Sequence, residues 1–250
     1  MVRVSISLMK VLIFSNFVIL CCSAKNDTIK KVKHRINTTE CSWKIRGQRY
    51  FYGNVTMHEF PDSSYNNGPH KYGVCTFKLG EVLNVTAQVD ICGRHSLAIE
   101  SNSSIFISAA LILDWSPERN RSDTWLGGFC SRDYDLNETY GNGPGGGSCY
   151  GSAGHGGMGF DFKRGVNDMK HGWRYAFNNS NMLLIGGSSG GVEKKGSGFS
   201  CGGGAIMISS AESVTIDSNI STSAFNLNTN DSCIYGGSGG TIIIKAKTVC

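Results

Sequence analysis

Two acidic groups carry the residue types needed for general acid/base work on a sugar polymer. Asp133 and Asp135 share a face if that stretch is extended, and Asp161 lies close to Lys163 and Arg164. Glycosidic cleavage uses paired carboxyl groups, one giving a proton and one activating or stabilising, so such pairs are the minimum requirement. Both groups read more readily as solvated turns, and no acidic motif recurs at equivalent strand positions. His155, set between glycines, could join His95 or His171 in a metal site, but spacing supplies no third or fourth ligand, and a turn histidine is expected. Gly196-Ser-Gly-Phe-Ser is only superficially like a nucleophile elbow. Gly191-Val-Glu-Lys-Lys-Gly196-Ser lacks the lysine that follows the second glycine of a phosphate loop, and no strand-loop-helix context surrounds it. The sequence therefore points to no catalytic residue, no metal ligand and no cofactor.

The cysteines and asparagines carry a different chemistry. Arg3 and Lys10 precede the apolar run Val11 to Cys22, which ends at Ser23-Ala24 before a plausible cut ahead of Lys25. That is the pattern of a signal peptide spanning residues 1–24, and the run is too short to cross a hydrocarbon core of about 30 Å. Cleavage removes Cys21 and Cys22 and leaves Cys41, Cys75, Cys92, Cys130, Cys149, Cys201, Cys233 and Cys250, no two closer than 17 positions. An even count in an oxidising compartment predicts disulfides, with the pairing open, and the absence of close Cys pairs argues against zinc. Ten Asn-x-Ser/Thr sequons follow the cut, at Asn26, Asn37, Asn54, Asn84, Asn102, Asn120, Asn137, Asn178, Asn219 and Asn230. Together these features predict a secreted, extracellular glycoprotein with no integral membrane segment after cleavage.

Composition narrows the partners. The chain has 250 residues, 40% hydrophobic and 17% charged, with 33 glycines and a formal charge of +5. Apolar content near the globular norm opposes disorder, and the glycines lack the three-residue period of collagen. Losing the leader leaves 22 basic against 19 acidic residues, a balance that implies no nucleic-acid partner. The basic run Lys30-Lys31-Val32-Lys33-His34-Arg35 reads as a solvated stretch near a new N-terminus.

The elements that would position these residues are strands. Residues 25–75 form a polar N-terminal segment or cap, irregular in composition, with clustered Trp43, Tyr50, Phe51 and Tyr52. From Phe77 the pattern has period two: Leu83, Val85, Ala87, Val89 and Ile91 alternate with polar residues, then Leu97/Ile99, Ile105/Ile107 and Ala109/Leu111/Leu113 follow. At an offset of 109, Leu97, Ile99, Ile105, Ile107 and Leu111 fall on Ile206, Ile208, Val214, Ile216 and Ile220. At an offset of 36, Gly203-Gly-Ala-Ile-Met-Ile falls on Gly239-Gly-Thr-Ile-Ile-Ile. Such an internal repeat predicts short strands stacked in coils, a right-handed parallel β-helix over 76–250 with a glycine-rich insertion. A β-sandwich is the alternative, weakened because neither Asn67-Gly68 nor Asn142-Gly143 sits between two clean strands.

Residues 141–204 hold 21 of the 33 glycines. Glycine allows positive φ and close backbone approach, and tight stacked turns between coils would use both. The order GPGGG, Gly154-His155-Gly156-Gly157, Gly186-Gly-Ser-Ser-Gly-Gly, Gly203-Gly-Ala-Ile-Met-Ile and Gly236-Gly237-Ser238-Gly239-Gly240 resembles the large glycine-rich surface proteins of plants and protists. That resemblance implies an extracellular β-helical region and brings no catalytic residues. The chain departs from the pattern in lacking a membrane-spanning segment and in ending at Cys250 after a strand.

The expected function is a non-enzymatic surface, matrix or host-contact module that binds extracellular glycans or proteins through repeated weak contacts. Trp115, Trp125 and Trp173 are candidate contact aromatics. Self-association through the last coil is a further expectation, and a polysaccharide lyase or hydrolase on the same scaffold is the alternative.

Overall fold

A computed structural model describes residues 13–14, 17–18, 34–45, 48–60, 70–114, 126–130, 143–147, 152–155, 159, 177–178, 181–191, 198–228 and 236–250. The chain divides into two units, Met1–Lys31 and Val32–Cys250. In the first, β1 (Ile13–Phe14) and β2 (Phe17–Val18) pair antiparallel.

The second unit is all-β, with mixed and parallel sheets and no helix among the described residues. Its polar start is more ordered than its composition implies. Strands β3 (His34–Asn37), β4 (Ser42–Ile45) and β5 (Gln48–Tyr52) form an antiparallel meander, and β6 (Asn54–Phe60) pairs antiparallel with β7 (His70–Leu79). The boundary read at 75/76 thus falls inside one strand.

From β7 onward short strands recur in a fixed order. After β7 come β8 (Leu83–Val85) and β9 (Val89–Cys92), then β10 (Ser96–Ser101), β11 (Ile105–Ile107) and β12 (Leu111–Ile112). Between these and the next set lie β13 (Phe177–Asn178), β14 (Asn181–Met182) and β15 (Gly198–Cys201). The order resumes with β16 (Ala205–Ser210), β17 (Ser213–Ile216) and β18 (Ile220–Ser221). After β19 (Phe225–Asn228), β20 (Thr241–Lys245) and β21 (Thr248–Val249) follow.

Pairing between successive sets is parallel. One sheet runs β20-β16-β10-β7-β6 and another β21-β17-β11-β8. Leu97 lies beside Ile206, Ile105 beside Val214 and Leu111 beside Ile220, so the 109-residue offset read from the sequence is the register of the paired strands. Ile206 in turn lies beside Ile242 and Ile208 beside Ile244, as the second offset predicts. Side chains in register make continuous inward rows, such as Phe77, Ile99, Ile208 and Ile244. Leu97, Ile99, Ile105, Ile107, Ile206, Ile208 and Val214 are buried in one core. Fully burying each such side chain contributes roughly 1.5–3 kcal/mol, which is what holds period-two strands of only three to six residues in place. The rows open toward the last strands, where Ile242 is 40% and Val249 54% exposed.

Serines set the corners. Ser101 Oγ accepts the Ser103 amide and donates to the Glu81 carbonyl at 2.9 Å. Its register partner Ser210 repeats this, accepting from Glu212 N and donating to Ser103 O at 2.7 Å. Each hydroxyl closes its own turn and ties it to the turn of the neighbouring set.

Described segments of the glycine-rich part pack beside the first sheet. Gly127 packs on Ser96, and Thr241 of β20 donates to the Ile185 carbonyl. Phe129 and Ile185 form a small apolar cluster with Tyr72 and Leu183 against it. Tight turns explain little of this layer, because Gly93, Gly127 and Gly143 are the only described glycines with positive φ. The governing demand is close approach. Consecutive amides of Gly202, Gly203 and Gly204 donate to Phe129, Ser238 and Leu113, and Ala205 returns to Leu126. Backbones joined this directly, amide to carbonyl, leave little room for a Cβ. A Cβ on Gly203 would collide with the Thr222 carbonyl oxygen, and one on Gly240 with that of Gly204.

Candidate binding recess

A half-open recess of about 380 Å³ lies where the β3-β4-β5 meander meets the β7-β8 turn. Its apolar wall is His34, Trp43 and Phe51, and its polar side is Lys78, Glu81 and Asn84. The wall is fixed by aromatic packing. Trp43 is buried, with Phe51 edge-on at 5.4 Å and Phe77 at 5.7 Å between ring centroids. The Trp43 indole N–H donates to His34 Nδ1 at 3.1 Å, so Nδ1 is an acceptor and the imidazole proton sits on Nε2. Burial pushes the His34 pKa below its usual value, consistent with a neutral ring. The Cys41–Cys75 disulfide ties the start of β4 to β7 behind this wall. Lys78 and Glu81 are exposed, and Lys78 makes a 3.9 Å ion pair with Glu100, a contact too long and too solvated to stabilise much.

Chemically the recess offers an aromatic wall, one cation, one carboxylate and an amide. His34 is poorly placed as a base, because its acceptor nitrogen is already occupied by Trp43. Among the described residues, no three of His, Cys, Asp and Glu come together as a metal site would need.

The other sequence candidates fall elsewhere. His155 lies in the glycine layer, its Nε2 3.1 Å from Thr241 Oγ1 and 3.4 Å from the Ile185 carbonyl. Thr241 gives its own proton to Ile185 O at 2.6 Å, so the pair serves the packing of β20 rather than activating a nucleophile. Burial lowers the His155 pKa, partly opposed by that carbonyl, and burial also lowers that of His95, helped by Arg94. Asp133, Asp135, Asp161, Lys163, Arg164, His171, Trp115, Trp125 and Trp173 lie outside the described residues. Two described carboxylates join neighbouring strand sets. Glu212 accepts from Ser103 and Ser104, and Asp114 accepts from Ser221 Oγ and the Ser223 amide.

Of the cysteines, Cys41–Cys75 and Cys130–Cys201 are disulfides. Two disulfides suggest an oxidising, extracellular-like environment. Among the described residues Cys92 and Cys250 have no disulfide partner, Cys92 receiving the Arg35 guanidinium at 3.9 Å. Cys149 and Cys233 lie outside the described residues. Asn54, Asn84, Asn102 and Asn219 are exposed. Asn37 is half-buried, its Oδ1 accepting the amides of Thr39 and Glu40. Asn178 lies in β13, and Asn26, Asn120, Asn137 and Asn230 lie outside the described residues. No described helix is long and apolar enough to cross a membrane.

No family model, curated protein or solved structure matches the chain. The recess itself was only half legible in the sequence. Trp43 and Phe51 belong to a conspicuous aromatic cluster in a polar segment, but nothing in the spacing brings His34, Lys78 or Glu81 beside them.

Proposed function

We propose that the chain is a secreted, disulfide-bonded and N-glycosylated module built on a right-handed parallel β-helix, which binds extracellular glycans or proteins without enzymatic activity. Support for the β-helix comes from parallel strands whose partners recur in the same order across successive sets, and parallel crossovers are overwhelmingly right-handed. Its resemblance to glycine-rich surface proteins is in keeping with that reading. The observation that carries the binding role is the recess, with an aromatic wall for the apolar face of a sugar or side chain and Lys78 and Glu81 for its polar groups. The edge of β20 and β21 is where a second copy would stack.

The test is affinity retention of the secreted protein on a panel of neutral and acidic polysaccharides, with release of reducing ends read in parallel. Retention on a polymer without cleavage is expected, weakened about tenfold by Phe51→Ala and less by Lys78→Ala. Release of reducing ends from any polymer would overturn the non-enzymatic reading in favour of a lyase or hydrolase.

A further inference from the structure

We propose that Asn84 carries an N-linked glycan whose first sugar packs on the exposed ring of Phe106. The inference rests on the chain's passage through a glycosylating secretory route.

Asn84 opens the sequon Asn84-Val85-Thr86 and is the central residue of β8, whose flanking Leu83 and Val85 are buried. Alternation along a strand therefore turns Asn84 outward. Its register partner is Phe106, the central residue of β11, also flanked by two buried residues. Phe106 is 42% exposed, an uncovered aromatic ring in the middle of a sheet face. Adjacent strands lie about 4.8 Å apart, so a sugar ring joined to the Asn84 amide has the reach to lie over its neighbour. The C–H face of an N-acetylglucosamine ring meets the electron-rich face of an aromatic ring favourably, and both lose apolar contact with water.

Other sequons in strands lack this arrangement. Asn54 faces Thr76, and Asn37 faces Cys92 and Ser42. On the far side of Phe106 stands Thr215, whose small side chain leaves the ring open to a visitor from β8. Asn84 also lines the rim of the recess, so its glycan stands at that edge.

In the modification itself, Asn84 Nδ2 bonds to the anomeric carbon of the reducing-end sugar of a polyprenyl-pyrophosphate-linked oligosaccharide. The anomeric C–O bond breaks, the lipid pyrophosphate leaves with the bonding pair, and the amide loses one proton to solvent.

The experiment uses the full chain secreted from cells that add N-glycans, with glycopeptide mass spectrometry for occupancy and a double-mutant cycle of Thr86→Ala, which removes the sugar, and Phe106→Ala. Asn84 is expected to be occupied, and Thr86→Ala to lower Tm by about 2 °C when Phe106 is present and by almost nothing in the Phe106→Ala background. Amidase release of the Asn84 glycan from the folded protein should be several-fold slower than from Asn219, and Phe106→Ala should erase that difference. Sugar at Asn102 or Asn219 with Asn84 bare would overturn this inference while leaving the secretory reading intact. Sugar at no sequon would overturn both. An occupied Asn84 with additive effects in the cycle and equal release rates would overturn the packing.

Discussion

Strands β10 and β16 and the segments beside them, Gly186–Gly191 and Gly202–Gly204, are neighbours held by different forces. In the strands, Leu97, Ile99, Ile206 and Ile208 repeat every second residue and bury apolar side chains in rows. In the glycine segments the only side chains are those of Ser188 and Ser189, both buried, and contacts run mainly from amide to carbonyl, as in Gly186 to Gly127, Gly187 to Gly203 and Gly203 to Ser238, with Ser188 Oγ accepting the Gly145 amide. A core built on side chains tolerates loss of volume at a graded cost, because neighbours relax partway. A layer built on backbone contact tolerates almost no gain of volume, because the atoms in the way are carbonyls fixed by their own hydrogen bonds.

That contrast is broken most severely by adding one methyl group. Gly203→Ala drives a Cβ into the Thr222 carbonyl and crowds the Gly240 amide. A loss of about 4 kcal/mol or more, or failure to secrete a folded product, is expected from chemical denaturation and yield. Removing a larger group from the other region should do less. Ile99→Ala empties part of the Phe77–Ile99–Ile208 row and should cost about 3 kcal/mol with folding retained. If Ile99→Ala proves the more damaging, the glycine layer is looser than its hydrogen bonds imply.

The same contrast explains what could be read in the sequence. Period-two rows are written in residue type, so Leu97, Ile105 and Leu111 disclosed both their strands and their partners 109 residues on. Glycine repeats carry no such label, since a turn and a close-packed segment select the same residue; hence residues 202–204, which follow one another as glycines, read as a turn, yet none has positive φ and each donates its amide to a neighbouring segment. The recess was hidden for another reason. His34 and Lys78 line one recess from strands of different sheets, β3 and β7, and no local pattern encodes that juxtaposition. Strands β3 and β4 are faint in the sequence because Ile36 and Trp43 are the only fully buried apolar side chains in their largely polar run.

Acid provides a gentler probe of both regions. His34 in the meander and His155 in the glycine layer have pKa values depressed chiefly by burial. Above about pH 6.5 both folded and unfolded chains hold these rings neutral, so no penalty arises. As pH falls below that value the unfolded chain takes up protons that the folded chain refuses, and stability declines until the folded-state pKa values are reached. A urea-denaturation series from pH 8 to pH 5 should show this slope, and His155→Gln, which keeps an N–H for Thr241, should make it shallower without altering stability at pH 8. An unchanged slope would mean that His155 is protonated as readily folded as unfolded.

The smallest expected effect has the opposite sign. Ser96 is fully buried where the two regions touch, under Gly127, and its hydroxyl has no hydrogen-bond partner in the described structure. In β16 the residue preceding the paired Ile206 is Ala205, also fully buried, whereas in β10 Ser96 precedes its partner Leu97. An unsatisfied buried hydroxyl costs about 1–3 kcal/mol in lost solvation, most of which its removal restores at the expense of one oxygen's packing. Ser96→Ala should therefore be neutral or stabilising by up to about 1 kcal/mol in the same denaturation assay. A loss of more than about 1 kcal/mol would mean that the hydroxyl bonds across the junction, and that the side-chain core and the backbone layer share at least one polar link rather than meeting through shape alone.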